Sequence, residues 1–213
     1  MNSNLLGRYI IALTNLYGIV PEKKVVEIYN LYNTPDANLG DLEISVAQSN
    51  LPMKLITRRA GYFLKDYLIF EDRFLDILRL QEGTEYYIPE RNELLMYEDE
   101  FWFKQSKIFH DFNESLWDYF ELDYRRHKHI TELLLMDCQL GLDIKEIMEE
   151  LSRNKLEFDS VEDMNIFMRR FQKLCRNTRK WQYKGHTYNE LNSGNRFKFA
   201  KGKLKKIFSL QKS

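Results

Sequence analysis

The stretch Arg176–Leu191, reading RNTRKWQYKGHTYNEL, sets cations among aromatics and is the most distinctive in the chain. Arg176, Arg179, Lys180 and Lys184 beside Trp181 and Tyr183 are the residue types with which single-strand binders meet phosphates and stack bases. A second use fits the same residues: Trp181 and Tyr183 pack on the body of the protein, and the cations are solvated or paired with its acids. Thr187 and Glu190 stand three apart, so Thr187 can cap a short helix while Glu190 reaches back to its backbone, with Leu191 as the apolar follower.

Other reactive side chains form no catalytic pattern. His127-Lys128-His129 is the only histidine cluster; on a helix its two rings would point about 200° apart, so a shared metal would need extended chain, and a solvated turn is expected. Cys138 and Cys175 read as small buried side chains on apolar helix faces, with no zinc site and no disulfide framework. The acids Glu98, Asp99 and Glu100 have no basic or histidine companion at a fixed spacing, so a Mg²⁺-dependent nuclease ranks last among the readings. No nucleophile elbow, P-loop or H-E-x-x-H motif occurs, and the chain reads as a non-enzyme without cofactor or metal.

The segment 193–213 carries Arg196, Lys198, Lys201, Lys203, Lys205 and Lys206, and Lys212 lies beyond them. If it is helical, Phe197, Ala200, Leu204, Ile207 and Phe208 align on one face, which makes a basic amphipathic tail. Nucleic-acid phosphates, an anionic membrane surface or an acidic protein groove would each suit it. The formal charge of zero hides this separation: Phe171–Ser213 holds 12 Lys and Arg against one acid, whereas Glu82–Asp123 holds 12 acids against 3 bases. Such blocks bind partners or each other.

The elements that must position these residues are mostly helical, as 9 Gly, 4 Pro and 30% charged residues suggest. Leu6, Tyr9, Ile10, Leu13, Leu16 and Tyr17 recur at helical spacing up to Gly18. A second helix follows Pro21 and buries Val25, Val26, Ile28, Tyr29 and Tyr32. A third runs from Gly40 to about Ser49 with Asp41 as its cap. Gly61–Leu64 and Tyr67–Phe70 then read as two strands of a hairpin around Lys65-Asp66. Three helices and a hairpin give the order of a winged helix. Its third helix holds Asp41 and Glu43 without Lys or Arg, which points to a protein contact rather than major-groove reading, with Lys54, Arg58 and Arg59 as the nearest phosphate contacts.

A short helix that begins after Arg73-Phe74-Leu75 and runs to about Leu80, and an extended Tyr86–Pro89, precede a helical second half. Its elements are Glu90–Tyr97, an aromatic-striped helix over about Phe103–Tyr124, Ile130–Leu140 closed by Gly141, a helix capped by Asp143, and one begun by Ser160. Ile144, Ile147, Met148 and Leu151 should face inward in the fourth, as should Val161, Met164, Met168, Phe171 and Cys175 in the fifth. The expected fold is mainly α, with a winged-helix-like module at 1–85, a helical domain at 86–192 and the basic tail at 193–213. The longest apolar run, Tyr9–Leu13, is far short of the roughly 20 residues that span a bilayer. With no signal-peptide order at the N-terminus and no framework of cysteines, a reducing cytoplasm is expected.

Leu16-Tyr17-Gly18-Ile19-Val20-Pro21 with Glu27-Ile28-Tyr29-Asn30, then Tyr87-Ile88-Pro89, and Asn177-Thr178-Arg179-Lys180-Trp181 with Gly185-His186-Thr187-x-Asn189-Glu190-Leu191 resemble a family of Gram-positive bacteria and their phages. The likeness spans about residues 5 to 191. Members often end in a cysteine-rich, zinc-binding SEC-C motif; here no cysteine follows Cys175, and a basic tail stands in that place. The usual Pro of the last motif is Tyr188. The resemblance implies a prophage or mobile-element setting.

These readings converge on a binding protein that associates with nucleic acid or a nucleoprotein complex in a regulatory or inhibitory role, such as blocking a host nuclease or defence complex. The rival is a protein-interaction module whose basic segment binds an acidic protein surface, its own included.

Overall fold

A computed structural model describes residues 3–192. The basic positions Arg196, Lys198, Lys201, Lys203, Lys205 and Lys206 lie outside the described residues. Mainly helical as expected, the described chain carries eleven α-helices and a small three-stranded antiparallel sheet. It forms two compact units, one of residues 3–102 with Trp181–Gly185, the other of residues 103–180 with 186–192. The extended Tyr86–Pro89 thus lies within the first unit. No helix among the described residues is long and apolar enough to cross a membrane.

The first unit opens with α1 (Ser3–Tyr17), β1 (Ile19–Pro21), α2 (Glu22–Tyr32) and α3 (Leu39–Gln48). It continues with β2 (Ile56–Arg59), β3 (Tyr62–Lys65), α4 (Asp66–Phe70), α5 (Phe74–Gln81) and α6 (Arg91–Met96). The six apolar positions recognised in α1 are all buried and form the heart of this unit's core with Val25, Ile28, Leu42 and Phe63. Each such side chain removed from water contributes roughly 1.5–3 kcal/mol before entropy is counted. β3 is central, paired with β1 through Val20 and Phe63 and with β2 through Arg58 and Phe63.

α3 is capped by Asn38, whose Oδ1 accepts from the Gly40 and Asp41 amides, while Asp41 Oδ2 accepts the Asn38 amide at 2.9 Å. Asp41 is thus the returning half of a capping box rather than the cap. The hairpin lies one strand earlier than the composition suggested. Ala60 and Gly61, at φ 49° and 80°, make the two-residue turn between β2 and β3. Positive φ at both turn positions matches the twist of antiparallel strands. Tyr67–Phe70 belongs to α4, and β1 pairs as the third strand instead.

The second unit holds α7 (Lys107–Tyr119), α8 (Tyr124–Leu140), α9 (Ile144–Arg153), α10 (Val161–Asn177) and α11 (Tyr188–Asn192). The long aromatic helix expected from Phe103 to Tyr124 is cut at both ends by caps. Ser106 Oγ accepts from Phe109 N and Asp123 Oδ1 from Arg126 N, so one helix stops at Tyr119 and another begins at Tyr124. Of its stripe Phe109, Phe112, Leu116 and Phe120 are core as expected, with Phe112 5.6 Å from Phe167 and 5.5 Å from Phe171, ring centre to ring centre, but Trp117 is exposed. Asp143 and Ser160 cap α9 and α10. Ile144 and Val161, expected inside, are exposed because each is the first residue of its helix and lies beyond the packed face.

Cys138 and Cys175 were expected as separate thiols; they form a disulfide between α8 and α10. Their sequence separation of 37 carries no local signal, and the helices alone bring them together. A formed disulfide does not fit the reducing compartment expected from unpaired cysteines. His127-Lys128-His129 is no turn: it lies in α8, with His127 buried and stacked on Trp117 at 3.8 Å and Lys128 and His129 exposed. Burial lowers the His127 pKa.

Candidate functional site

Of the six candidate binding residues in Arg176–Leu191, namely Arg176, Arg179, Lys180, Trp181, Tyr183 and Lys184, most are built into the fold. Trp181 is fully buried in the first unit, its indole N–H donating to Asn15 O at 3.0 Å. Gln81 Nε2 donates to both Tyr17 O and Trp181 O. Gly18 explains the close fit: it sits at φ 70°, and a Cβ there would meet the Trp181 ring at 2.5 Å. Gly185 repeats the device against Tyr17, with φ 84° and 2.9 Å to the ring. Tyr17 in turn donates its hydroxyl to Tyr87 O, Tyr87 N donates to Lys184 O, and Tyr32 donates to Pro89 O. The segments LYGIVP, YIP and W-x-x-x-G are therefore partners in one packed region of the first unit.

Tyr183 is buried as well, and Lys184 is half-buried with its ammonium 4.6 Å from the centre of the Tyr86 ring. Desolvation lowers the Lys184 pKa. In the second unit Lys180 is buried, its Nζ donating to Cys138 O at 3.0 Å, and burial pulls its pKa from 10.5 down to about 8. Arg179 pairs with Glu190, and Arg176 lies 5.7 Å from the centre of the Tyr188 ring. Thr187 and Glu190 make the expected capping box, with 2.9 Å and 3.1 Å between their backbone and side-chain partners. Burial works to raise the Glu190 pKa, yet the Thr187 amide and Arg179 outweigh it and hold the carboxyl low. Trp181, Tyr183 and Lys180 are thus not offered to a ligand as stacking or phosphate-binding groups; Arg176 is the exposed member of the set.

The surface around α3 is the contrasting case. Arg58, expected as a phosphate contact, is held on two sides: Nε and Nη2 donate to Glu22 at 2.7 and 2.8 Å, and Nη1 donates to Glu43 at 2.7 Å. The hydrogen bonds it donates to Glu22 and then to Glu43 raise its pKa further, so the guanidinium is charged but occupied. Leu39, Ile44, Met53 and Leu55 stay exposed on and just after α3, Met53 at 78%. Sequence reasoning passed over these four. The signal was present: Leu42 and Ser45 define the inward face of α3, which turns Ile44 outward. Lys54 and Arg59 are exposed nearby.

Among the described residues no group of three His, Cys, Asp or Glu side chains is placed to hold a metal ion. A shallow pocket of about 260 Å³ on the second unit is lined by Ile108, Asp111, Phe112, Glu114, Arg170 and Lys173. Lys173 faces Asp111 there at 3.7 Å, so its charges offset one another. Comparison with known family models, curated proteins and solved structures finds no match.

Proposed function

We propose that this chain is a non-catalytic binding protein whose first unit is a winged-helix-like module used to contact another protein. The order α1, β1, α2, α3, β2, β3 and the sheet order β1-β3-β2 support the winged-helix reading. One observation carries the choice of partner: α3, the element from which such modules meet DNA, holds no Lys or Arg, and Arg58 on the neighbouring β2 is hydrogen-bonded to Glu22 and Glu43, which leaves Lys54 and Arg59 as the exposed cations beside bare Ile44, Met53 and Leu55. Duplex recognition needs free cations and amides to position phosphates and read base edges. Apolar side chains with a carboxylate border suit a protein surface better. The role that fits is regulatory or inhibitory, in the phage or mobile-element setting that the sequence motifs suggest.

Association with nucleic acid stays open through a different segment. Seven Lys and Arg without an acid between Asn195 and Ser213 make that segment the remaining phosphate-binding candidate; an acidic protein surface is its other possible target. Fluorescence anisotropy with labelled single-stranded DNA, duplex DNA and RNA at about 50 and 200 mM salt separates the two segments. A chain ending at Asn192 should bind none of them. Salt-steep duplex binding that survives the truncation would assign the first unit to DNA and refute the protein-contact reading.

A further inference from the structure

The link between Cys138 and Cys175 plays no part in the proposed contact, yet it joins two elements of the second unit that hold the cation-rich stretch in place. Cys138 lies on α8 and is buried; Cys175 lies in the last turn of α10 and is only partly covered. Their Cα atoms stand 4.8 Å apart, within the span a disulfide bridges without backbone movement. They are the only cysteines of the chain, so neither has an alternative partner within it.

What surrounds the link makes it more than a staple. The turn that carries Cys175 ends at Asn177, and the next three residues are held by contacts from that same neighbourhood. Thr178 Oγ1 donates to Leu174 O, and Lys180 N donates to His186 O. The Lys180 ammonium crosses to Cys138 O at 3.0 Å, on the partner cysteine's own backbone. Breaking the sulfur bond therefore loosens both ends of one arrangement: the turn that leads into Lys180 and the carbonyl that receives it. Burial penalises the charge on Lys180, so an end of α10 that comes loose lets the ammonium regain water.

We infer that the Cys138–Cys175 pair is a redox-responsive lock on the end of α10 and on Lys180. In the oxidised chain the lock holds Lys180 inside; in the reduced chain the α10 end frays and Lys180 reaches water. The reductant is a dithiol of the thioredoxin type. Its thiolate attacks the sulfur of Cys175, the less buried of the two residues; the S–S electron pair passes to Cys138 Sγ, which takes up a proton. The second thiol of the reductant then expels Cys175 as a thiolate, which is protonated in turn, and the reductant leaves as its own disulfide. Two electrons and two protons are transferred.

The test uses the full chain, purified without reductant and then treated either with oxidised glutathione or with dithiothreitol. Alkylation followed by mass spectrometry should count no thiols in the first sample and two in the second. Amide hydrogen exchange over 174–180 should quicken at least tenfold on reduction and return on reoxidation, while α1 exchanges unchanged. Cys175→Ser should exchange like the reduced chain whatever the treatment. Two alkylated thiols after oxidised glutathione would overturn the inference, because the pair would not form. So would a pair that forms and breaks with no change in exchange over 174–180, because the bond would then be a staple without control over its surroundings. A reduced chain that unfolds as a whole, with exchange quickened in α1 too, would also overturn a local lock.

Discussion

Two segments of this chain carry the residue types of a binding surface, and the fold treats them in opposite ways. The stretch Arg176–Leu191 is rich in cations and aromatics, yet Lys180, Trp181 and Tyr183 are buried and Arg179 is paired. The α3 region is modest in composition, yet it leaves Ile44, Met53 and Leu55 in water. Composition alone separates these cases poorly, because a tryptophan stacks equally well on a base and in a core. What separates them is the supply of partners. Trp181 has a glycine opposite its ring and a carbonyl for its N–H, whereas Ile44 on α3 and Met53 and Leu55 after it stay exposed in the first unit.

The contrast can be broken most forcefully at its buried side. Trp181→Ala removes a large, fully enclosed ring and leaves Asn15 O without its donor. It should destabilise the first unit by about 3–5 kcal/mol in urea denaturation. A loss below about 1 kcal/mol would mean that the ring is not core.

Lys180 gives the next largest effect. Its pKa falls from 10.5 unfolded to about 8 folded, so between those values the unfolded chain holds a proton that the folded chain lacks. Stability should then rise as pH climbs from about 8 to about 10.5, by roughly 3 kcal/mol, with the full penalty present below pH 8. Lys180→Met should flatten that rise, which denaturation at a series of pH values reads directly.

Gly18→Ala should cost about 2 kcal/mol by the same assay, from a strained positive φ and the crowded indole together. Arg58→Ala sharpens the exposed side. Its ion pairs are partly solvated, so stability should change by about 1 kcal/mol or less. The affinity of the chain ending at Asn192 for duplex DNA should stay absent.

Much of the fold was legible from the sequence for local reasons. The α1 face, the Asp143 and Ser160 caps, the Gly141 stop and the Thr187–Glu190 box each need only residues within a turn or two of one another. The misread parts depend on contacts remote in sequence or on competing local signals. Tyr67–Phe70 has a strand's composition but follows a β3 that already ends at Lys65, and Ala60-Gly61 was the better turn. Cys138 and Cys175 meet only once α8 and α10 pack. Arg58 looked like a free cation because Glu22 and Glu43 lie 36 and 15 residues away. The motifs LYGIVP and W-x-x-x-G were visible as patterns, but that Gly18 makes room for Trp181 is a fact of packing.

If the cation-rich stretch is structure rather than surface, its buried lysine resists modification, which residue-resolved lysine acetylation of the native chain reads. Lys54 is exposed, whereas Lys65 and Lys180 are buried. Lys54 should label rapidly and Lys180 should be strongly protected, comparably to Lys65. Labelling of Lys180 as fast as Lys54 in the oxidised chain would contradict this and return the stretch to the surface as a binding site.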